Sequence, residues 1–172
     1  MIKTEDEIRE HLIAWLKKQG FLCEKGIKIK TFEIDVAALG KIRITKEKIH
    51  RSEKEHVYAF ECKVASTSKL VKDVIEQAIT RLLVADYVYI VVPNRVEIWI
   101  NGKNRTRIKP YQLIERYASG VYSKKIGIIS IDTFGRINVY RNARKSGLKI
   151  NELSDETVKI LRRKRSILKK WL

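Results

Sequence analysis

Acidic residues are scarce in this chain: 20 Asp and Glu stand against 37 Lys and Arg, leaving a formal charge of +17 and a pI near 9.9. A Lys-rich surface of the thermophile kind carries a matching share of Glu, so the deficit argues for a polyanion that offsets the self-repulsion. Nucleic acid is the first candidate and an anionic membrane surface the second. Cysteine is almost absent. Cys23 and Cys62 each sit in an apolar run and read as small core residues in a reducing compartment; a disulfide between them stays open, and they do not make a zinc site. No apolar run approaches the ~20 residues that cross a bilayer. The acidic stretch from Met1 to Glu10 lacks the layout of a signal peptide, so a cytoplasmic protein with no membrane partner is expected. The three histidines, His11, His50 and His56, are scattered without metal-ligand spacing and read as surface residues. With 44% hydrophobic residues over 172 positions the chain is not disordered. It is one domain, or one domain with a helical tail.

Thr4 with Glu7 three residues on forms a capping box. Ile8, Leu12, Trp15 and Leu16 then recur at helical spacing until Gly20, which predicts a helix over 5–19. Strands follow over 21–30, where Ile27 and Ile29 alternate with lysines, and over 32–39, closed by Gly40. Residues 41–56 are charge-dense with only three isoleucines, and read as a protruding hairpin or as extensions of the second and third strands. The third strand covers 57–64. Ser66 to Ser68 offer caps for a helix that keeps a 3.6 period from Leu70 to about Val84. Residues 86–92 are nearly all apolar, as in a strand covered on both faces, and Pro93 ends them. Tyr87, Tyr89 and Trp99 could stack on bases, although alternating aromatics in a strand are more often core.

Beyond Pro93 the pattern weakens. Val96, Ile98 and Ile100 fit a strand or a helix, and Pro110 can open a helix to about Tyr122. Residues 126–131 and 136–140 look like a hairpin turning at 132–135. Ser154 starts a terminal helix that ends basic, at Arg162, Arg163, Lys164, Arg165, Lys169 and Lys170. The order gives an α/β domain with a mixed central sheet flanked by helices. Residues 1–93 form its core, and 94–172 form a C-terminal α/β extension packed on the same domain.

The most informative segment is Phe60-Glu61-Cys62-Lys63-Val64. Side chains alternate along a strand, so Glu61 and Lys63 share a face about 7 Å apart while Phe60, Cys62 and Val64 point to the core. Asp35, in the run Ile34-Asp35-Val36-Ala37-Ala38, offers a second carboxylate from a neighbouring strand. Two carboxylates on a rigid sheet suit a divalent cation, and a lysine beside them suits the charge that grows when a phosphodiester is hydrolysed.

Taken with the first helix ending at Gly20-Phe21 and the second carrying Glu76-Gln77-Ala78, these residues resemble the PD-(D/E)xK nuclease superfamily, in its archaeal Holliday-junction resolvase, Mrr and RecB-like branch. The resemblance covers about residues 5–93 and implies a restriction-endonuclease-like αβββαβ core. It implies a Mg²⁺- or Mn²⁺-dependent DNA endonuclease in which Asp35, Glu61 and the Cys62 backbone carbonyl hold the metal, Lys63 orients or deprotonates the attacking water, and Gln77 approaches from the second helix. Many relatives add a glutamate from helix one. Arg9 falls at that position here, and Glu10 is the favoured substitute. The 26-position separation of Asp35 and Glu61 is longer than a tight hairpin needs. The charged residues that fill it, Lys46, Lys48, Arg51 and Lys54, are DNA-contact candidates or solvated strand extensions, and Arg162, Arg163 and Arg165 are candidates at the C-terminal end. A homodimer is expected, since two strands need two cuts. The runner-up is a non-catalytic nucleic-acid-binding module that keeps the nuclease fold.

Overall fold

The computed structural model describes residues 1–100, 102 and 104–171; the Trp99 side chain lies outside its description. Helix α1 (Glu5–Gln19) begins and ends where its signals stand. Thr4 Oγ1 accepts the Glu7 N–H at 3.2 Å, and Gly20 takes the left-handed φ of 98° that closes the helix. Strands β1 (Leu22–Ile29), β2 (Phe32–Ile44) and β3 (Ile49–Cys62) form an antiparallel meander. Helix α2 (Ser68–Arg81), capped by Thr67, crosses over to β4 (Tyr87–Pro93), which lies parallel to β3. All seven residues of β4 are buried, as their unbroken apolar run predicts.

The chain then makes a two-stranded ribbon, β5 (Val96–Ile100) with β6 (Asn104–Ile108), and helix α3 (Pro110–Tyr117). A 3-10 turn at Ser123–Lys125 leads to β7 (Gly127–Ile131) and β8 (Ile137–Arg141), and α4 (Asn151–Trp171) ends the chain. The main sheet runs β1-β2-β3-β4-β7-β8, with β3, β4 and β7 mutually parallel and the outer pairs antiparallel. This is the expected α/β architecture with a mixed sheet. The C-terminal extension completes that sheet through β7 and β8. Helix α3 stops at Tyr117, short of residue 122, because Ala118 leaves the helical region (ψ 56°).

Helices cover both faces. Ile8, Leu12 and Leu16 of α1 pack with Val36, Phe60 and Val91 on one side. Val71, Val74 and Ala78 of α2, Ile114 of α3, and Leu153 and Leu161 of α4 pack with Ala37, Ala59, Val88 and Ile90 on the other.

Residues 41–56 are strand extensions, and they do not protrude. Ile42 and Ile44 are buried on the α1 side of the sheet. The Tyr58 hydroxyl donates to the Ile42 carbonyl at 3.0 Å and accepts the Ile44 N–H at 3.2 Å. The Tyr89 hydroxyl donates to the Ile44 carbonyl at 3.1 Å and accepts the Ala143 N–H at 3.2 Å. Asn142 accepts the Lys46 N–H at 2.6 Å, which holds the tip of the hairpin against the end of β8. Tyr87 and Tyr89 are therefore buried core side chains under this flap, which corrects the base-stacking reading. The histidines are partly buried. His56 meets the Tyr87 ring edge-on at 5.4 Å and bonds Ser52 at 3.0 Å, and burial holds its imidazole below the ordinary range.

Candidate active site

The β2–β3 ladder opens where the acids stand. The last paired residues on this side are Val36 and Phe60. Beyond them the Cys62 N–H is taken by the Asp35 side chain, at 2.8 Å to Oδ2, instead of by a strand carbonyl. On the other flank of β2, Gly26 of β1 adopts φ 65° between the pairs Lys25↔Val36 and Ile27↔Ile34. A left-handed residue inside a strand marks a local break in the pleat. It coincides with a change of face: Cys23 belongs to the α1-side core, Ile27 to the opposite one. Asp35 and Glu61 thereby stand across from each other, one residue beyond the Val36–Phe60 pair, close enough for Asp35 to raise the Glu61 carboxyl.

Helices from both faces reach this opening. From α1, Arg9 Nη2 lies 3.3 Å from Asp35 Oδ1 and 3.5 Å from Glu5 Oε2, and Arg9 Nη1 lies 2.9 Å from Asp6. Glu5 Oε1 in turn holds Lys63 Nζ at 3.1 Å. From the last turn of α2, Arg81 Nε donates to Glu61 Oε1 at 2.6 Å. Arg81 is itself fixed by a second hydrogen bond to the Glu33 carbonyl and by the Phe32 ring, 5.8 Å from its guanidinium carbon. Glu5, Asp35 and Glu61 are thus interleaved with Arg9, Lys63 and Arg81, three carboxylates against three cations.

Glu61 is only 2% exposed. Burial first, and then the nearby Asp35, push its carboxyl up to about 8, against the pull of Arg81. Burial draws the Arg9 guanidinium down, but Asp35 and Asp6 outweigh it and hold Arg9 above its usual range. The Cys62 thiol is pushed well up, by burial and by Asp35. It is an inert core sulfur, and Cys62 serves the site through its backbone.

Asp35 takes the Cys62 N–H beside Glu61. The expectation that Glu61 and Lys63 share a face is corrected: β3 ends at Cys62, and Glu61 turns to Arg81 of α2 while Lys63 turns to Glu5 of α1, on opposite faces of the sheet. Two other candidates lie apart from these residues. Gln77 is exposed, and its carbonyl accepts the Thr80 hydroxyl. Arg81, one turn further along the same helix face, occupies the place given to Gln77. Glu10 is exposed beside a cleft formed with Ile13, Lys17, Glu24 and Lys25, and Glu5 is the helix-one acid at the site. The i, i+4 spacing of Glu5 and Arg9 places both on one face of α1, and that spacing was the available signal. For Arg81 the sequence offered no signal beyond its i+4 relation to Gln77.

The basic candidates lie elsewhere. Lys46 and Lys48 sit in the β2–β3 turn, and Arg51 and Lys54 are exposed on β3. Arg162 pairs with Glu55 at 2.7 Å. Arg163 shares a cleft with Lys30 and Lys159, and Arg165 lines a groove with Lys17, Gly20 and Gly40. That groove is at the C-terminal end of α1, about 20 Å along the helix from Glu5 at ~1.5 Å per residue.

Fold and site together define an α/β protein with a carboxyl at the C-terminal end of β3 and another near the start of the antiparallel β2, clasped by helices from both faces. Compared with known proteins, the chain matches no family model, no curated protein and no solved structure.

Proposed function

We propose that this protein is a divalent-cation-dependent DNA endonuclease with a restriction-endonuclease-like core, α1-β1-β2-β3-α2-β4. The observation that carries the reading is the meeting of Asp35 and Glu61 from adjacent strands, with Lys63 two residues beyond Glu61. Among the described residues no three His, Cys, Asp or Glu side chains gather as a metal cluster. Mg²⁺ needs fewer, because it keeps several waters and takes one or two carboxylates plus substrate phosphate. The pair also has the electrostatic mark of a cation site. Two carboxyls held in low dielectric raise the proton affinity of Glu61, and a divalent cation would relieve the same repulsion.

In this reading Asp35, Glu61 and the Cys62 carbonyl hold Mg²⁺ or Mn²⁺. When bound, the ion lowers the pKa of its water and offsets charge on the phosphate. The protein's own groups supply the rest. Lys63 Nζ, aimed by Glu5, orients the attacking water and stabilises charge that grows only in the transition state. Arg81 and Arg9 fix the rotamers of the two acids. Water adds to phosphorus, the P–O bond to the departing oxygen breaks, and that oxygen takes up a proton. A symmetric homodimer would present two such sites to one duplex.

One observation favours the second reading, a binding module without catalysis: each of the two acids already has an arginine partner, at 2.6 Å and 3.3 Å. Incubation with plasmid and with a four-way junction, in Mg²⁺, Mn²⁺ or EDTA, separates the two. The nuclease reading expects metal-dependent cutting that Glu61→Ala abolishes. Salt-sensitive binding with no cutting under any metal would leave the module.

A further inference from the structure

Of the two readings the sequence allows for residues 41–56, a DNA-contacting arm or strand extensions, the structure shows strand extensions folded onto the sheet. A different hairpin stands apart. Strands β5 and β6 pair only with each other and join no strand of the main sheet. Residues 94–109 carry five basic residues against one acid, Glu97. The ribbon is two-faced. Val96 is buried, and Ile98 and Ile108 are partly buried on the same face of the pleat. Arg105 and Arg107 lie on the other face and share Glu97 as an ion-pair partner, at 3.7 and 3.5 Å, with side chains 61% and 63% exposed; one carboxylate serves the two guanidiniums.

Its position matters as much as its charge. Ile90 pairs with Glu61, and Asn94 follows four residues later on the same strand direction, roughly 13 Å on at ~3.3 Å per residue. The ribbon therefore leaves the body from the end of the sheet at which β3 and β4 finish, the end that carries Glu61 and Lys63. At its base a cleft of about 390 Å³ is lined by Met1, Asn94, Arg95, Arg107 and Thr133, bringing two ribbon arginines beside the N-terminal approach to α1 and Glu5. The basic end of α4, by contrast, lies at the far end of α1.

We propose that the β5–β6 ribbon is the arm that seats duplex DNA against the candidate site, with Arg95, Arg105, Arg107 and Lys109 on its phosphates. This rests on the nuclease reading for the identity of the site it serves. A two-stranded antiparallel ribbon fits the major groove of B-DNA, and an arginine face with an apolar back can lie along a polyanion while remaining anchored to the protein. The partner is thus a duplex wide enough to touch the ribbon and the acids together.

The test is binding of a fluorescent duplex by full-length protein carrying Glu61→Ala, without metal, over a range of salt. Arg95→Gln, Arg105→Gln and Arg107→Gln combined should weaken binding at least tenfold near 0.15 M salt. The slope of log K against log salt should shrink by about 2 to 3, since each lost phosphate contact removes ~0.9. The same three positions changed to Lys should keep the slope, and an unchanged thermal midpoint in both variants separates lost contact from lost folding. Arg162→Gln, Arg163→Gln and Arg165→Gln combined should leave the slope largely intact. A glutamine ribbon that binds like its parent, or a parent that binds no DNA, overturns the proposal. The nuclease reading fails on a separate result: protein with Glu61 intact binds DNA through the ribbon, yet cuts nothing in any metal.

Discussion

Strand β3 carries two glutamate–arginine pairs that look alike on distance alone. Midway along it Glu55 meets Arg162 at 2.7 Å, and near its end Glu61 meets Arg81 at 2.6 Å. Solvent separates them. The first pair is 41% and 59% exposed, the second 2% and 12%. A surface pair is screened by water and offset by the entropy of two long side chains. A buried pair has given up its hydration, so each partner depends on the other. The contrast follows from what covers the strand: water reaches the outer face of the β2–β3 extension, while α1 and α2 close over the far end. A short ion pair is therefore informative about function only after its burial is known.

The largest effect should come from breaking the buried pair. Arg81→Ala leaves Glu61 uncompensated, and the cost should be about 3–5 kcal/mol at alkaline pH. Proton linkage fixes the direction. Glu61 titrates near 8 in the folded protein, above the ~4.3 of an unfolded glutamate, so between those values the folded state binds more protons. Its contribution to stability is fully present below the lower value and is lost as pH rises through the upper one. Arg81 opposes that shift, so removing it should steepen the loss, and Glu61→Gln should flatten it. Urea unfolding in EDTA between pH 5 and pH 9 reads all three slopes. Equal slopes in the parent and Glu61→Gln would erase the distinction between the two pairs.

The next effect tests whether the exposed end of β3 is only superficially polar. Ile44 is 3% exposed beneath the charged extension, and Ile44→Ala should cost about 2–4 kcal/mol. Tyr89→Phe removes the hydroxyl that serves both the Ile44 carbonyl and the Ala143 N–H. It should cost about 1–3 kcal/mol, because it leaves buried backbone groups unpaired. Denaturant midpoints report both. A small loss in each would mean that the flap lifts from the sheet independently of the rest.

The sequence announces elements whose information is local. Thr4 and Gly20 bracket α1, and the all-apolar run of β4 declares its two covered faces, because capping and periodicity act within a few residues. Asp35 and Glu61 were legible as neighbours because adjacent strands bring them together, whereas the face taken by Lys63, one residue past the end of β3, was not. Placement over long separations was not legible. Ile42 and Ile44 find Tyr58 and Tyr89, the latter 45 residues from Ile44, and nothing in a segment so rich in lysine and glutamate reveals that pairing. Arg81 reads as an ordinary basic residue ending a helix. Its second role exists only because the crossover sets the end of α2 over β3. Glu5 and Glu10 stand about 140° apart around α1 at 3.6 residues per turn, and the apolar stripe does not say which of its two flanks meets Asp35.

The smallest effect belongs to the exposed pair, and it is diagnostic because it should be small. Glu55→Gln removes the carboxylate that meets Arg162 and should change stability by no more than about 1 kcal/mol, fading in high salt. Its influence should appear in binding. With Glu55 neutralised, Arg162 beside Lys17, Lys41 and Arg165 in the groove at the end of α1 is released from its internal counter-charge. If that groove takes no part in holding DNA, the salt slope of binding stays at the parent value while the ribbon variants change it. A steeper slope in Glu55→Gln would mean that the solvated middle of β3 also faces the polyanion. The two pairs would then differ in chemistry but share one ligand.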